Sequence, residues 1–194
     1  MSNEENIHFL EKLNVTLEDF VCDDGWILDF GGGGEGVIGI LKGNQVVAID
    51  KRKSELDEAL ERDCKALLIE MDGTDLKFLD NTFPTATAFF SLMYVKDLKD
   101  LEKIFAEIHR VLKPKGKFLI WDANIEMPEN VNKQLLAFYL NVTLPSGKII
   151  ETGYGTPKKH QNIQDFIKLG EKIGFKIKSS RIIGLDFYLE LVKP

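Results

Sequence analysis

Several things are scarce in this sequence, and each scarcity narrows what the chain can do. Only two cysteines occur in 194 residues, Cys22 and Cys64. They stand far apart, with neither a Cys-x-x-Cys pair nor a Cys/His ligand spacing, so a disulfide framework and a structural zinc site are both disfavoured. Positive charge is in deficit: 25 Lys and Arg against 31 Asp and Glu give a formal charge of −6. No basic field therefore attracts phosphate backbones or anionic lipids, and nucleic acid is not expected as a partner. No apolar run reaches the ~20 residues that a membrane helix needs. The opening MSNEENIHFL is acidic and lacks the apolar core of a signal peptide, so a cytoplasmic location is expected. Repeats, low-complexity tracts and Pro/Ser-rich linkers are absent too, and residues 1–194 are expected to form one domain with an insertion at about 135–160.

What is present is a β/α rhythm, and the 44% of hydrophobic residues suffices for one core. A helix is expected over Glu4 to Leu13. Trp26 to Phe30 forms a short apolar strand that ends in four glycines, and Val37 to Leu41 begins a helix. Val46 to Asp50 is a second strand, followed by a helix capped by Ser54 with Asp57 three residues on. Ala66 to Met71 and Thr85 to Ser91 are the third and fourth strands. Asp97 to Val111 is an amphipathic helix, and the fifth strand, Lys117 to Asp122, follows a Lys113-Pro-Lys-Gly116 turn. Five strands with intervening helices imply a parallel sheet with right-handed crossovers.

The last third departs from that rhythm. Phe138 to Leu144 and Lys148 to Thr152 flank Pro145-Ser-Gly147, which reads as an inserted β-hairpin. Asn162 caps a helix over Ile163 to Ile173 that stops at Gly174. Phe175 to Ile183 and Phe187 to Val192 form a closing antiparallel pair. The expected fold class is α/β, a Rossmann-like seven-stranded, mostly parallel sheet with a C-terminal antiparallel hairpin and a β-hairpin inserted after strand five.

The chemistry concentrates after the first strand, in Asp29-Phe-Gly31-Gly-Gly33-Gly-Glu35-Gly36. Glycines there let the backbone turn sharply and approach a ligand, while the next helix offers unpaired N–H groups. Gly31, Gly33 and Gly36 spell a dinucleotide fingerprint, with Asp50 near the offset of a ribose-binding acid. The same run fits Asp-x-Gly-x-Gly, and here the sequence resembles the class I S-adenosylmethionine-dependent methyltransferases. Ile27-Leu-Asp-Phe-Gly-Gly-Gly33 matches their first motif, Asp50 ends the second strand, Asp72-Gly73 follows the third, and Arg110-Val-Leu-Lys-Pro-Lys-Gly116 precedes the fifth. The resemblance covers residues 26 to 122 well and 163 to 192 loosely, nearest to small-molecule enzymes of the ubiquinone-biosynthesis type. Two departures stand out: Glu35 occupies the place of a third glycine, and Pro84 that of an aspartate.

The resemblance implies S-adenosylmethionine as cofactor. Gly31 and Gly33 would pass under its methionyl end, and Asp29 would orient the positive amino group. Asp50 would accept from both ribose hydroxyls, Asp72 would face the adenine amino group, and the backbone of Gly73 its ring nitrogen. Methyl transfer from a sulfonium needs alignment more than a catalytic triad. His109 and His160 are weak candidates for a base, Tyr94 and Tyr154 are candidates for the wall of the methyl site, and the catalytic residue is left open. Ser91-Leu-Met-Tyr94 lacks the Asn/Asp-Pro-Pro-Tyr run that resembling enzymes use on planar amino groups. That disfavours DNA-adenine or glutamine methylation, the resemblance to small-molecule enzymes implies a small-molecule acceptor, and a homodimer is left open. Two rivals stand beside this reading: a non-catalytic module with the same fold, and a nicotinamide oxidoreductase, to which Tyr154-Gly-Thr-Pro-Lys158 lends a Tyr-x-x-x-Lys match.

Overall fold

The computed structural model describes residues 6–18, 20, 22, 25–125, 133–157 and 160–194. Its first elements correct the expected N-terminal helix. Of that stretch, residues 1–5 lie outside the described residues, while β1 (Ile7–Phe9) and β2 (Leu13–Thr16) are strands. Leu13, Val15 and Leu17 turn inward and Asn14 and Thr16 outward, which is the period of two that a half-buried strand requires.

The central sheet follows. β3 (Ile27–Phe30), β4 (Val46–Asp50), β5 (Leu67–Glu70), β6 (Phe83–Phe89) and β7 (Leu112–Ala123) are mutually parallel where they pair. Two later strands, β10 (Lys176–Ile183) and β11 (Asp186–Val192), close it, with β11 antiparallel to β7 and β10 antiparallel to β11. The order is β10-β11-β7-β6-β3-β4-β5. The 113–116 segment, expected as a turn before the strand, lies within β7. Leu112 pairs with Phe83 and Lys117 with Thr85, so the residues between them are absorbed as an irregularity with Lys115 at φ 66°.

The inserted hairpin is present and longer than its turn signal implies, as β8 (Leu135–Thr143) and β9 (Ile149–Pro157). Its strand β8 also pairs in parallel with β1 and β2, giving a second, four-stranded sheet. That pairing explains the N-terminal correction, because a distant edge supplies the backbone partners that a helix would have found locally.

Among the described residues four α-helices connect these strands: α1 (Val37–Lys42), α2 (Lys53–Glu61), α3 (Leu98–Val111) and α4 (Ile163–Ile173). The α4 boundaries are as expected: Asn162 Oδ1 accepts from Asp165 N at 3.0 Å, and Gly174 ends the helix at φ 114°. The cap expected at Ser54 is not made, since Ser54 lies inside α2 and Asp57 bonds Lys53 instead. Helices α3 and α4 bury Ile104, Phe105, Ile108, Ile163 and Phe166 against one face of the central sheet. On the other face α1 packs together with the second sheet, through Leu136, Phe138, Leu140 and Val142. Strand alternation therefore sends Leu28 and Phe30 toward the helices, and Ile27 toward the second sheet.

Candidate functional site

Parallel neighbours place the ends of β3, β4 and β5 along one rim. In register, Phe30 faces Ile49 and Asp50 faces Glu70, so Asp29, Asp50 and Asp72 come from three adjacent strands or the residues just beyond them. Chain order reverses between β3 and β6, which are adjacent although β4 and β5 intervene in sequence. Open α/β sheets form their ligand crevices at such switch points. A crevice of about 1210 Å³ opens there, and Asp29, Gly31, Gly33, Asp50, Asp72 and Gly73 all line it.

The glycine run turns as its composition requires. Gly31 has φ 66°, and a side chain at that position would meet the Ser91 side chain, whose hydroxyl donates to the Phe30 carbonyl at 2.8 Å. A Cβ on Gly33 would lie 2.5 Å from Glu55 Cβ and 2.9 Å from its carbonyl carbon. Gly34 N–H donates to the Glu55 carbonyl at 2.8 Å. The loop is thus seated on α2, and this close backbone approach accounts for glycine at 33.

The three strand-end acids differ in what already holds them. Asp29 is 2% exposed and accepts from Thr87 Oγ1 at 2.7 Å. Burial pushes its carboxyl up to about 7, against the opposing pull of the Thr87 bond and with further repulsion from Asp50. Asp50 uses Oδ1 to accept from Arg52 N at 2.9 Å. Among the described residues its other oxygen accepts no hydrogen bond, and it faces the crevice wall at Gly33. Asp72 accepts from Lys51 Nζ at 2.8 Å, and from the backbone N and hydroxyl of Thr74 at 2.9 and 2.8 Å. Lys51 first, then Thr74, draws the Asp72 carboxyl down to about 2. Asp72 therefore serves its own loop, as a capping acid does. The Lys51 side chain is 76% exposed, and such a surface pair contributes little and exchanges readily.

The remaining wall comes from the turn after β6 and from β9. Tyr94 and Tyr154 meet edge to face with centroids 6.3 Å apart, and Tyr154 stacks on Phe90 at 5.7 Å. Burial raises the Tyr94 hydroxyl to about 12 while a Gly155 backbone bond opposes that rise. Burial and Glu35 likewise hold the Tyr154 hydroxyl well above its ordinary value, so both phenols stay neutral. Glu35 was legible only as a departure from the glycine pattern, and its partners were invisible in sequence. Its carboxylate accepts from Thr152 Oγ1, and from Tyr154 OH at 3.0 Å, joining the glycine loop to β9. A charged residue inside a glycine run was the available signal.

Two candidates fall away from the crevice. His109 packs edge-on to Phe175 at 4.8 Å, where burial and Lys193 hold its pKa down, and His160 lies beside Asn162; neither lines the crevice. Tyr154 is on a strand rather than a helix, which removes the geometry that a Tyr-x-x-x-Lys pair needs. Lys158 lies outside the described residues. Among the described residues, eight carboxylate side chains line the crevice against four cationic ones, Lys51, Arg52, Arg62 and Lys96.

These features define a Rossmann-like nucleotide-crevice fold with a reversed last strand. The comparisons with known proteins agree and narrow the class. A family model described as a methyltransferase domain matches residues 28–120. The sterol 4-C-methyltransferase of Caenorhabditis elegans is 34% identical over 120 residues, covering 59% of this chain and 34% of that protein. A ubiquinone/menaquinone biosynthesis C-methyltransferase of Rickettsia typhi is 32% identical over 108 residues, covering 55% and 41%. The chain thus spans about a third to two fifths of the length of these curated relatives. A SAM-dependent methyltransferase structure from Methanosarcina mazei superposes with TM-score 0.66 at 20% identity, over 89% of this chain and 94% of that one. Over residues 28–120 the chain thus matches a methyltransferase domain, and its fold is that of S-adenosylmethionine-dependent methyltransferase structures.

Proposed function

We propose that this chain binds S-adenosylmethionine in the crevice and transfers its methyl group to a small-molecule acceptor. The observation that carries the reading is the charge of the site. A dinucleotide would set its pyrophosphate at the glycine loop, where Glu35 and Glu55 line the same wall, whereas S-adenosylmethionine brings a positive sulfonium and a positive amino group. Burial raises the Glu55 carboxyl, with Arg52 opposing, and Asp50, Glu58 and Glu35 add repulsion that an anion would worsen.

The roles expected of the site residues follow as part of this proposal. Asp50, with one oxygen unclaimed, holds the ribose hydroxyls. Gly31 and Gly33 carry the loop beneath the methionyl end, and Asp29 orients the amino group from below. Asp72 and Gly73 meet the adenine, Asp72 doing so by releasing Lys51. The cofactor supplies an activated methyl group, so the protein's part is to orient the acceptor and exclude water. Strand β9 forms the wall that does this, through Thr152, Gly153, Tyr154, Gly155 and Pro157.

The relatives' printed names are those of C-methyltransferases, one of a sterol and one of ubiquinone/menaquinone biosynthesis, which supports a small molecule here. Residues 1–194 act as one domain in this reading, supported by β1 and β2 pairing with the inserted β8. The net charge disfavours nucleic acid, and a cytoplasmic location is part of the same proposal. The stacked, exposed rings of Phe9 and Tyr139 would serve a homodimer contact. Incubation with methyl-labelled S-adenosylmethionine and a metabolite extract tests the function. Label is expected in a new small-molecule fraction; label found only in protein or nucleic acid would overturn the acceptor class.

A further inference from the structure

The crevice carboxylates are not equivalent. Glu55, Glu58 and Asp72 each meet an arginine or lysine within 3.2 Å. Among the described residues Glu35 does not, nor do Asp29 and Asp50, and the partners of Glu35 are the hydroxyls of Thr152 and Tyr154, which aim it at β9. A carboxylate offers about four acceptor sites, so two hydroxyl donors fix its direction and leave capacity and charge uncompensated. A half-buried carboxylate held in this way gains from a cation placed beside it.

Its position says which cation. The Glu35 backbone belongs to the glycine loop, on the cofactor side of the crevice, and its carboxylate ends against β9, the wall assigned to the acceptor. A methyl group passing from cofactor to acceptor crosses that junction. The rings of Tyr94 and Tyr154 meet there as well, and aromatic rings add attraction for a cation. We propose that Glu35 is the counter-charge for the sulfonium of S-adenosylmethionine, so that the site distinguishes the charged methyl donor from its neutral product, S-adenosylhomocysteine. The inference rests on the cofactor reading above. It makes Glu35 a specificity-determining residue, with Thr152 and Tyr154 as the groups that position it.

Titration calorimetry with three ligands tests this without an acceptor: S-adenosylmethionine, S-adenosylhomocysteine, and sinefungin, which carries an amine in place of the sulfonium. In Glu35→Gln, affinity for the two charged ligands should fall about tenfold while that for S-adenosylhomocysteine stays within about threefold, as expected of one partly screened charge pair. Equal weakening of all three ligands would place Glu35 at the shared amino-acid end, and unchanged affinities would deny it a role; either overturns the proposal. Wild-type protein that binds none of the three would instead contradict the cofactor reading itself. Should Glu35→Gln fail to fold, wild-type protein still decides the matter. Raising salt from about 50 to about 500 mM should shrink its preference for S-adenosylmethionine over S-adenosylhomocysteine at least about threefold, and a constant ratio would overturn the proposal.

Discussion

Asp29 and Asp50 sit one strand apart, yet the sheet gives them opposite surroundings. Asp29 is enclosed beneath the loop, and its carboxyl ionises only near pH 7. Between about pH 4 and pH 7 the folded chain therefore holds a proton that the unfolded chain has released, so this group's contribution to stability falls as pH rises through that window and is level above it. Thermal melts of wild type and Asp29→Asn from acid to neutral pH should diverge in that sense, and parallel curves would show that Asp29 does not titrate there. Ligand affinity should move the other way, since a cationic amino group favours the ionised acid. For Asp50 the informative change is Asp50→Asn, whose amide oxygen can keep the bond to Arg52 N but loses the second acceptor. Binding of S-adenosylhomocysteine should weaken by about 1.5–3 kcal/mol, with little change in melting temperature. Unaltered affinity would reduce Asp50 to a turn acid.

The glycine loop and α2 behave as one element, because Gly33 and Gly34 lie directly on Glu55. Gly33→Ala inserts a methyl group against backbone and should cost about 1–3 kcal/mol of stability. Weaker binding of S-adenosylhomocysteine should accompany the lowered melting temperature, and a melting temperature equal to wild type would contradict this packing. At α4, Asn162→Ala removes a cap hydrogen bond and should cost about 1 kcal/mol in chemical denaturation, with ligand affinity unchanged. Strands β3, β4 and β6 were readable as short apolar runs because both their faces are buried, edge strand β5 by its Leu67-Leu-Ile69 run although it is largely exposed, and α4 announced both its ends. β1 and β2 were not readable. Their partner β8 lies more than a hundred residues away, and a few alternating residues cannot be told from one helical face without it. The 113–116 segment misled for a related reason: Pro and Gly mark a departure from regular pairing, and whether it becomes a turn or a bulge depends on β6 beside it. At the crevice, the glycine run with Asp29 and Asp50 was legible from its place after the first two strands and Asp72 only through the family resemblance, whereas the Glu35 contacts depend on how the insertion folds back.

Over the whole molecule, one face of the central sheet is closed by helices and the other by a second sheet whose edge strand, β9, reaches the crevice. Because β8 carries the pairing of β1, β2 and β9 together, the hairpin proposed to face the acceptor cannot be deleted without unpairing the N-terminal strands, and its role has to be probed by single substitutions. The charge around the crevice and the switch-point position together predict that the site accepts adenosyl ligands with a cationic amino group, whether sulfonium or thioether, and refuses a pyrophosphate. Titration calorimetry of the wild-type chain with S-adenosylmethionine, S-adenosylhomocysteine and NAD tests that claim most directly. The account predicts micromolar or tighter binding of the first two and none of NAD, whereas NAD binding without the others would contradict it.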